Sequence, residues 1–146
     1  MKKLLFSLFI LISVTGFSQD LDWKTDLNTA KNLAKEQNKN ILVYFTGSDW
    51  CAPCKQLKED FFKSEKFIEK ADKLVLLMVD LPFRQDIITP EQREKNEKLI
   101  KKYNPEKSFP TIIGLSSSGK VLNSISAYSS LRDTTGHFRF LESILK

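Results

Sequence analysis

The two cysteines of this chain, Cys51 and Cys54, stand two residues apart, and no others occur. They follow the apolar run Ile41-Leu42-Val43-Tyr44-Phe45 and precede a segment with helical spacing, from about Cys51 to Phe62. A strand that delivers a C-x-x-C pair to the first turn of a helix is a redox device. The free N–H groups and the dipole at a helix start favour negative charge there. Cys51 is therefore expected to have a depressed pKa and to carry thiolate near neutrality. Cys54, one turn on, lies within reach of the Cys51 sulfur and can close a small ring. Pro53 is tolerated in that first turn, where its missing N–H is not needed. Half of a zinc site is the competing reading, but zinc normally takes four ligands. The single histidine, His137, is far along the chain and reads as an exposed or capping residue.

The segment Trp50-Cys51-Ala52-Pro53-Cys54-Lys55 resembles the active site of the thioredoxin superfamily. Phe109-Pro110-Thr111, just before the apolar run Ile112-Ile113-Gly114-Leu115, strengthens the likeness. The longer stretch Phe45-Thr46-Gly47-Ser48-Asp49-Trp50-Cys51 is similar to secreted thioredoxin-like proteins related to the C-terminal domain of membrane thiol reductases. The resemblance runs from about Leu21 to the C-terminus. It implies that Cys51 and Cys54 are catalytic and that Pro110 has a cis peptide bond and faces them. Trp50, Phe109 and Pro110 would border the substrate groove, with Ala52, Pro53 and Lys55 supporting the motif. No cofactor is implied beyond the redox-active Cys51–Cys54 pair. One departure stands out. Ordinary thioredoxins carry a buried aspartate in the motif strand, where this chain has Val43-Tyr44-Phe45, and the following loop is one residue longer. Proton handling at Cys54 then falls to water or to Asp49 or Glu59.

Pattern alone leads to the same architecture. Leu21, Trp23, Leu27, Ala30, Leu33 and Ala34 recur at helical spacing, so 20–37 reads as an amphipathic helix. Strands are expected at 41–46, 74–81, 111–115 and 120–128, the last two joined as a hairpin through Ser116-Ser117-Ser118-Gly119. Helical pieces fall at 64–71, with Ser64 as N-cap, and at 91–103, opened by Pro90. A closing helix presents Phe138, Leu141, Ile144 and Leu145 inward. The early strands need a crossover helix and should be parallel. The expected fold is α/β: a central mixed four-stranded sheet flanked by helices, with an extra N-terminal helix.

Met1-Lys2-Lys3, eleven residues from Leu4 to Val14, and Gly16-Phe17-Ser18 make a secretory signal peptide cleaved after Ser18. The apolar stretch is shorter than the ~20 residues of a spanning helix; an uncleaved tether is the alternative. The domain is then 19–146, with 21 basic against 18 acidic residues and a formal charge of +3. Without clustered arginines that balance does not indicate nucleic acid. A monomer in the periplasm or outside the cell is expected.

The function expected is reduction of disulfide-containing proteins, with a potential nearer about −270 mV than about −120 mV. An exported reductant needs a membrane electron donor, because its surroundings are oxidising. A dithiol oxidase or isomerase, or a non-catalytic binding module, are the alternatives. The connection 81–89 is expected beside the Cys51 groove, offering Phe83, Ile87 and Ile88 as apolar contacts and Arg84 as a charged one. Its apolar residues could equally pin a long loop onto the core.

Overall fold

Every residue of Asn40–Thr46 is buried, which requires a strand covered on both faces. In the computed structural model, which describes residues 20–145, this strand is β2. It is central in a five-stranded sheet of order β1-β3-β2-β4-β5. β3 (Leu74–Asp80) runs parallel to it and β4 (Thr111–Leu115) antiparallel. β5 (Val121–Ser126) completes the hairpin with β4. β1 (Trp23–Lys24) extends the sheet beyond β3 in parallel, Trp23 opposite Leu76.

Alternation along β2 sorts its side chains into two cores. Leu42 and Tyr44 face one side, with Leu74, Leu76 and Ile112. There they meet α2 (Ala52–Leu57), α3 (Glu65–Ala71) and α5 (Thr135–Ile144) through Cys54, Leu57, Phe67, Leu141 and Ile144. Ile41, Val43 and Phe45 face the other, against Ala30 and Ala34 of α1 (Leu27–Glu36) and Ile100 of α4 (Pro90–Tyr103). Gly114 lets α5 lie close on β4: a Cβ there would sit 2.4 Å from Ile144 Cγ2. The helix starts follow local chemistry. Asp26, Ser64 and Thr89 each accept a backbone N–H three residues on, worth about 1 kcal/mol apiece.

Several expectations need correction. The sheet has five strands rather than four, because Trp23–Lys24 pairs with β3. The first helix starts at Leu27, not Asp20: the Asp26 side chain accepts from Thr29 N at 2.9 Å and sets the boundary. Leu21 and Trp23 pack into the core of α2 and α5, whereas Ala30 and Ala34 serve the opposite one. Helical spacing had merged residues of two different layers. β5 ends at Ser126; Ala127, at φ 68°, turns the chain and donates its N–H to Pro110 O. His137 is buried, with its ring against Phe61 and Tyr128, and so is Phe140. The segment 1–18 read as a signal peptide lies outside the described residues.

Candidate active site

The motif lies where β2 ends and α2 begins. Gly47 makes the turn possible by leaving room: a Cβ there would sit 2.2 Å from Trp50 Cε2. Cys51 is the N-cap of α2, and its Sγ accepts the Cys54 N–H at 3.3 Å. The two sulfurs are joined as a disulfide of 2.09 Å, with Cα atoms 5.3 Å apart. Both cysteines are buried, Cys51 at 3% and Cys54 at 1% exposure, while Ala52 and Pro53 between them are exposed. When the bond opens, the Cys54 N–H and the start of the helix are already aimed at the Cys51 sulfur. That arrangement favours negative charge there. Lys55 points back along the surface, its Nζ donating to Asp49 O at 3.1 Å.

The α2 helix continues into a π-helical turn, Lys58–Phe62, closed by Lys63 N to Lys58 O at 3.0 Å. The wider turn seats both Phe61 and Phe62 in the core beneath the cysteines. It also aims Asp60 at the β5–α5 connection. Asp60 accepts from the Tyr128 hydroxyl at 2.8 Å and from the Arg132 guanidinium. Arg132 and then Tyr128 hold the Asp60 carboxyl at about 2. Burial and then Asp60 push the Tyr128 phenol up to about 12. This seam between the motif helix and residues 128–132 gave no signal in the sequence, because its partners are distant along the chain.

Pro110, preceded by a cis peptide bond, is buried and directly precedes Thr111, which pairs with Phe45 of β2. It therefore lies beside the strand end from which the motif loop departs. Phe109 meets the Trp50 ring edge-on, with centroids 5.4 Å apart. Trp50 is half-buried and donates Nε1–H to Leu81 O at 2.8 Å. Its other neighbour is Phe83, stacked at 5.0 Å and 16° between planes.

The connection 81–89 lies beside the motif and is tied to it. The Asp49 carboxylate accepts the N–H groups of Phe83 and Arg84 at 3.0 and 2.9 Å. Against the cost of desolvation, the amides of Arg84 and Phe83 keep the Asp49 carboxyl below its ordinary value. Arg93 of α4 donates to Pro82 O at 2.9 Å and Arg84 O at 3.1 Å. Arg84 itself pairs with Asp86. Ile87 and Phe83 are exposed and Ile88 half-buried, so the loop is held by backbone hydrogen bonds more than by apolar packing.

Tyr44 takes the place of the missing acid. It is buried at 2% exposure, packs against Trp23 and Phe62, and donates its hydroxyl to Cys54 O at 3.0 Å. Burial pushes this phenol up to about 12. Of the two acids the sequence offers for proton handling, Asp49 is engaged by the loop amides, and Glu59 pairs with Lys63 on the surface. A cavity of about 240 Å³ lies at the other end of the parallel strands, lined by Leu21, Leu33, Ile68 and Leu74 among others. Trp50, next to Cys51 in the chain, joins Phe109 and Phe83 in one aromatic surface beside the motif.

Residues 22–113 match the family model described as thioredoxin-like. The chain is 33% identical over 104 residues to the disulfide bond reductase DsbH of Chlamydia pneumoniae, covering 70% of this chain and 61% of that protein. It is 28% identical over 136 residues to the thioredoxin-related protein DsbJ of the same organism, covering 88% of this chain and 38% of that one. It thus spans less than two thirds of either relative. A solved structure described as DsbH oxidoreductase superposes with a TM-score of 0.74 at 26% identity, over 86% of this chain and 85% of the other. Matched across well over half its length, and carrying the motif, the disulfide and the strand order together, the chain belongs to the thioredoxin-like family.

Proposed function

We propose that this protein is a thiol–disulfide oxidoreductase that reduces protein disulfides outside the cytoplasm. The observation that carries the reading is the Cys51–Cys54 bond at the start of α2, with the Cys54 N–H on the Cys51 sulfur. In the reduced protein, the Cys51 thiolate attacks one sulfur of a substrate disulfide. A mixed disulfide forms and the other substrate sulfur leaves as thiolate. The Cys54 thiolate then attacks Cys51 Sγ, releasing the second substrate sulfur and leaving the Cys51–Cys54 disulfide. Two electrons pass to the substrate; its two sulfurs take up the protons that the two cysteines lose to solvent. Trp50, Phe109 and Pro110 form the wall against which the substrate chain is held. Ala52 and Pro53 keep the tip of the motif small.

Resetting the disulfide needs a dithiol donor. Residues 1–18 act as an export signal in this reading, and the donor is then a membrane dithiol protein facing an oxidising space. The relative named a disulfide bond reductase supports the direction of electron flow.

The test is equilibration with glutathione together with turnover of a protein disulfide such as that of insulin. A potential near about −270 mV is expected. Cys51→Ser should abolish turnover, and Cys54→Ser should attack and then stall as a mixed disulfide. A potential above about −150 mV, with the pair recovered from cells as disulfide, would reverse the direction to dithiol oxidation. Wild-type function in both cysteine variants would leave a binding module instead.

A further inference from the structure

Phe83 is 72% exposed although it stands one ring away from Trp50, the neighbour of Cys51. One of its faces lies flat on the indole. Its backbone has no freedom to fold the ring inward. Asp49 holds the amides of Phe83 and Arg84, Arg93 holds the carbonyls of Pro82 and Arg84, and Trp50 holds the carbonyl of Leu81. An exposed phenyl ring on a segment this firmly tied is presented rather than loosely placed. Burying so little of its surface, it does little to anchor the loop.

The charges beside the ring are matched within the loop. The Arg84 guanidinium is bonded to both carboxylate oxygens of Asp86, at 3.1 and 2.5 Å. Asp49 is spent on the two amides, with Arg84 nearby. The surface next to the motif therefore offers an aromatic face flanked by the paired Arg84 and Asp86, with the Lys55 ammonium held on the Asp49 carbonyl. It is continuous with the Trp50–Phe109 wall of the reacting sulfurs.

We propose that Phe83, stacked on Trp50, selects disulfide-bearing polypeptides whose reacting cysteine is flanked by an aromatic or large aliphatic side chain. The proposal rests on the thiol–disulfide reading above and names the substrate class of that site. A flanking ring laid on Phe83 is removed from water on a surface already in its bound shape, so little ordering opposes the contact. An acidic flanking residue would meet Asp49 and Asp86 and gain nothing from an arginine already paired.

The experiment uses the chain from Gln19 onward, reduced with dithiothreitol and freed of it. Its thiols are mixed with three disulfide-linked peptides, alike except for Phe, Gly or Asp beside the cysteine. Second-order rates of disulfide reduction are read. The Phe peptide should react about tenfold faster than the Gly peptide, and the Asp peptide no faster than Gly. In Phe83→Ser the Phe-to-Gly ratio should fall to near one, while Phe83→Leu should keep part of it. A ratio does not depend on how much active protein each preparation holds. Equal rates in the wild type, or a preference that survives Phe83→Ser, would overturn the proposal. So would a concentration-dependent dimer dissolved by Phe83→Ser, since the ledge would then belong to a second copy. If the wild type reduces none of the peptides, it is the redox reading that fails, not the selectivity alone.

Discussion

Tyr44 sets a phenol beneath the second cysteine where the family resemblance supplies a carboxylate, and the two groups differ in what they can do. A phenol held at about 12 and bonded to the Cys54 carbonyl does not trade protons near neutrality. Its contribution is to the position of the first helical turn, where that carbonyl also accepts the Lys58 N–H. Because one partner remains, Tyr44→Phe should cost only about 1 kcal/mol of stability, measured by urea unfolding of the oxidised protein. The pH profile of disulfide reduction should keep its shape in this variant. A profile displaced by a pH unit or more would show that the phenol takes part in proton transfer. The substitution of the acid was legible in the sequence. The hydroxyl's new partner was not, since a tyrosine in an apolar strand looks like packing. Asp49 is similar: its nearness to the motif was plain, but its hold on the Phe83 and Arg84 amides depends on a loop more than thirty positions away.

At the scale of elements, the motif helix is coupled to the β5–α5 connection through Asp60, Tyr128 and Arg132. The folded Asp60 carboxyl, at about 2, lies below the ordinary value of about 3.9. The folded state thus binds fewer protons than the unfolded chain. The stabilisation is complete above about pH 4 and is lost as pH falls toward about 2. Asp60→Asn should therefore melt below the wild type at neutral pH, and the gap should close between about pH 4 and pH 2. A gap that stays constant across thermal melts in that range would detach stability from this carboxylate. His137, whose ring meets Tyr128 edge-on, adds a pH dependence of its own. Burial lowers its pKa, so charging it opposes folding as pH drops below about 6.5. Both proteins in the comparison keep that histidine, and their difference reports Asp60. The π-helical turn that aims Asp60 has no mark in the sequence, where Leu57, Phe61 and Phe62 fit an ordinary helix well enough. The caps were easier to read: Ser64 and the Pro90 start announced their helices through side-chain chemistry alone.

For the whole molecule, the buried strand, the crossover and the C-terminal hairpin followed from hydrophobic runs and turn residues. The N-terminal segment did not, because a two-residue strand has no period to detect and helical spacing cannot tell one face of the sheet from the other. The sheet's order in space also differs from its order in the chain. β2, whose end leads into the cysteine motif, is flanked by β3 and by β4, and β4 is contributed by the C-terminal third. A chain made and delivered from its N-terminus presents Cys51 and Cys54 well before β4, whose Ile112 shares their core, exists. During that interval both thiols are open to whatever oxidant or alkylating agent is at hand, and their first encounter is with the surroundings rather than with a folded partner. Released chains truncated after Asp80 should accordingly be labelled rapidly by a maleimide under reducing conditions, and chains extended past Ser126 far more slowly at Cys54. Equal labelling at both lengths would mean that the wall contributed by β4 does nothing to shelter the pair. What the cysteine pair meets first is thus decided by the order in which the chain is made.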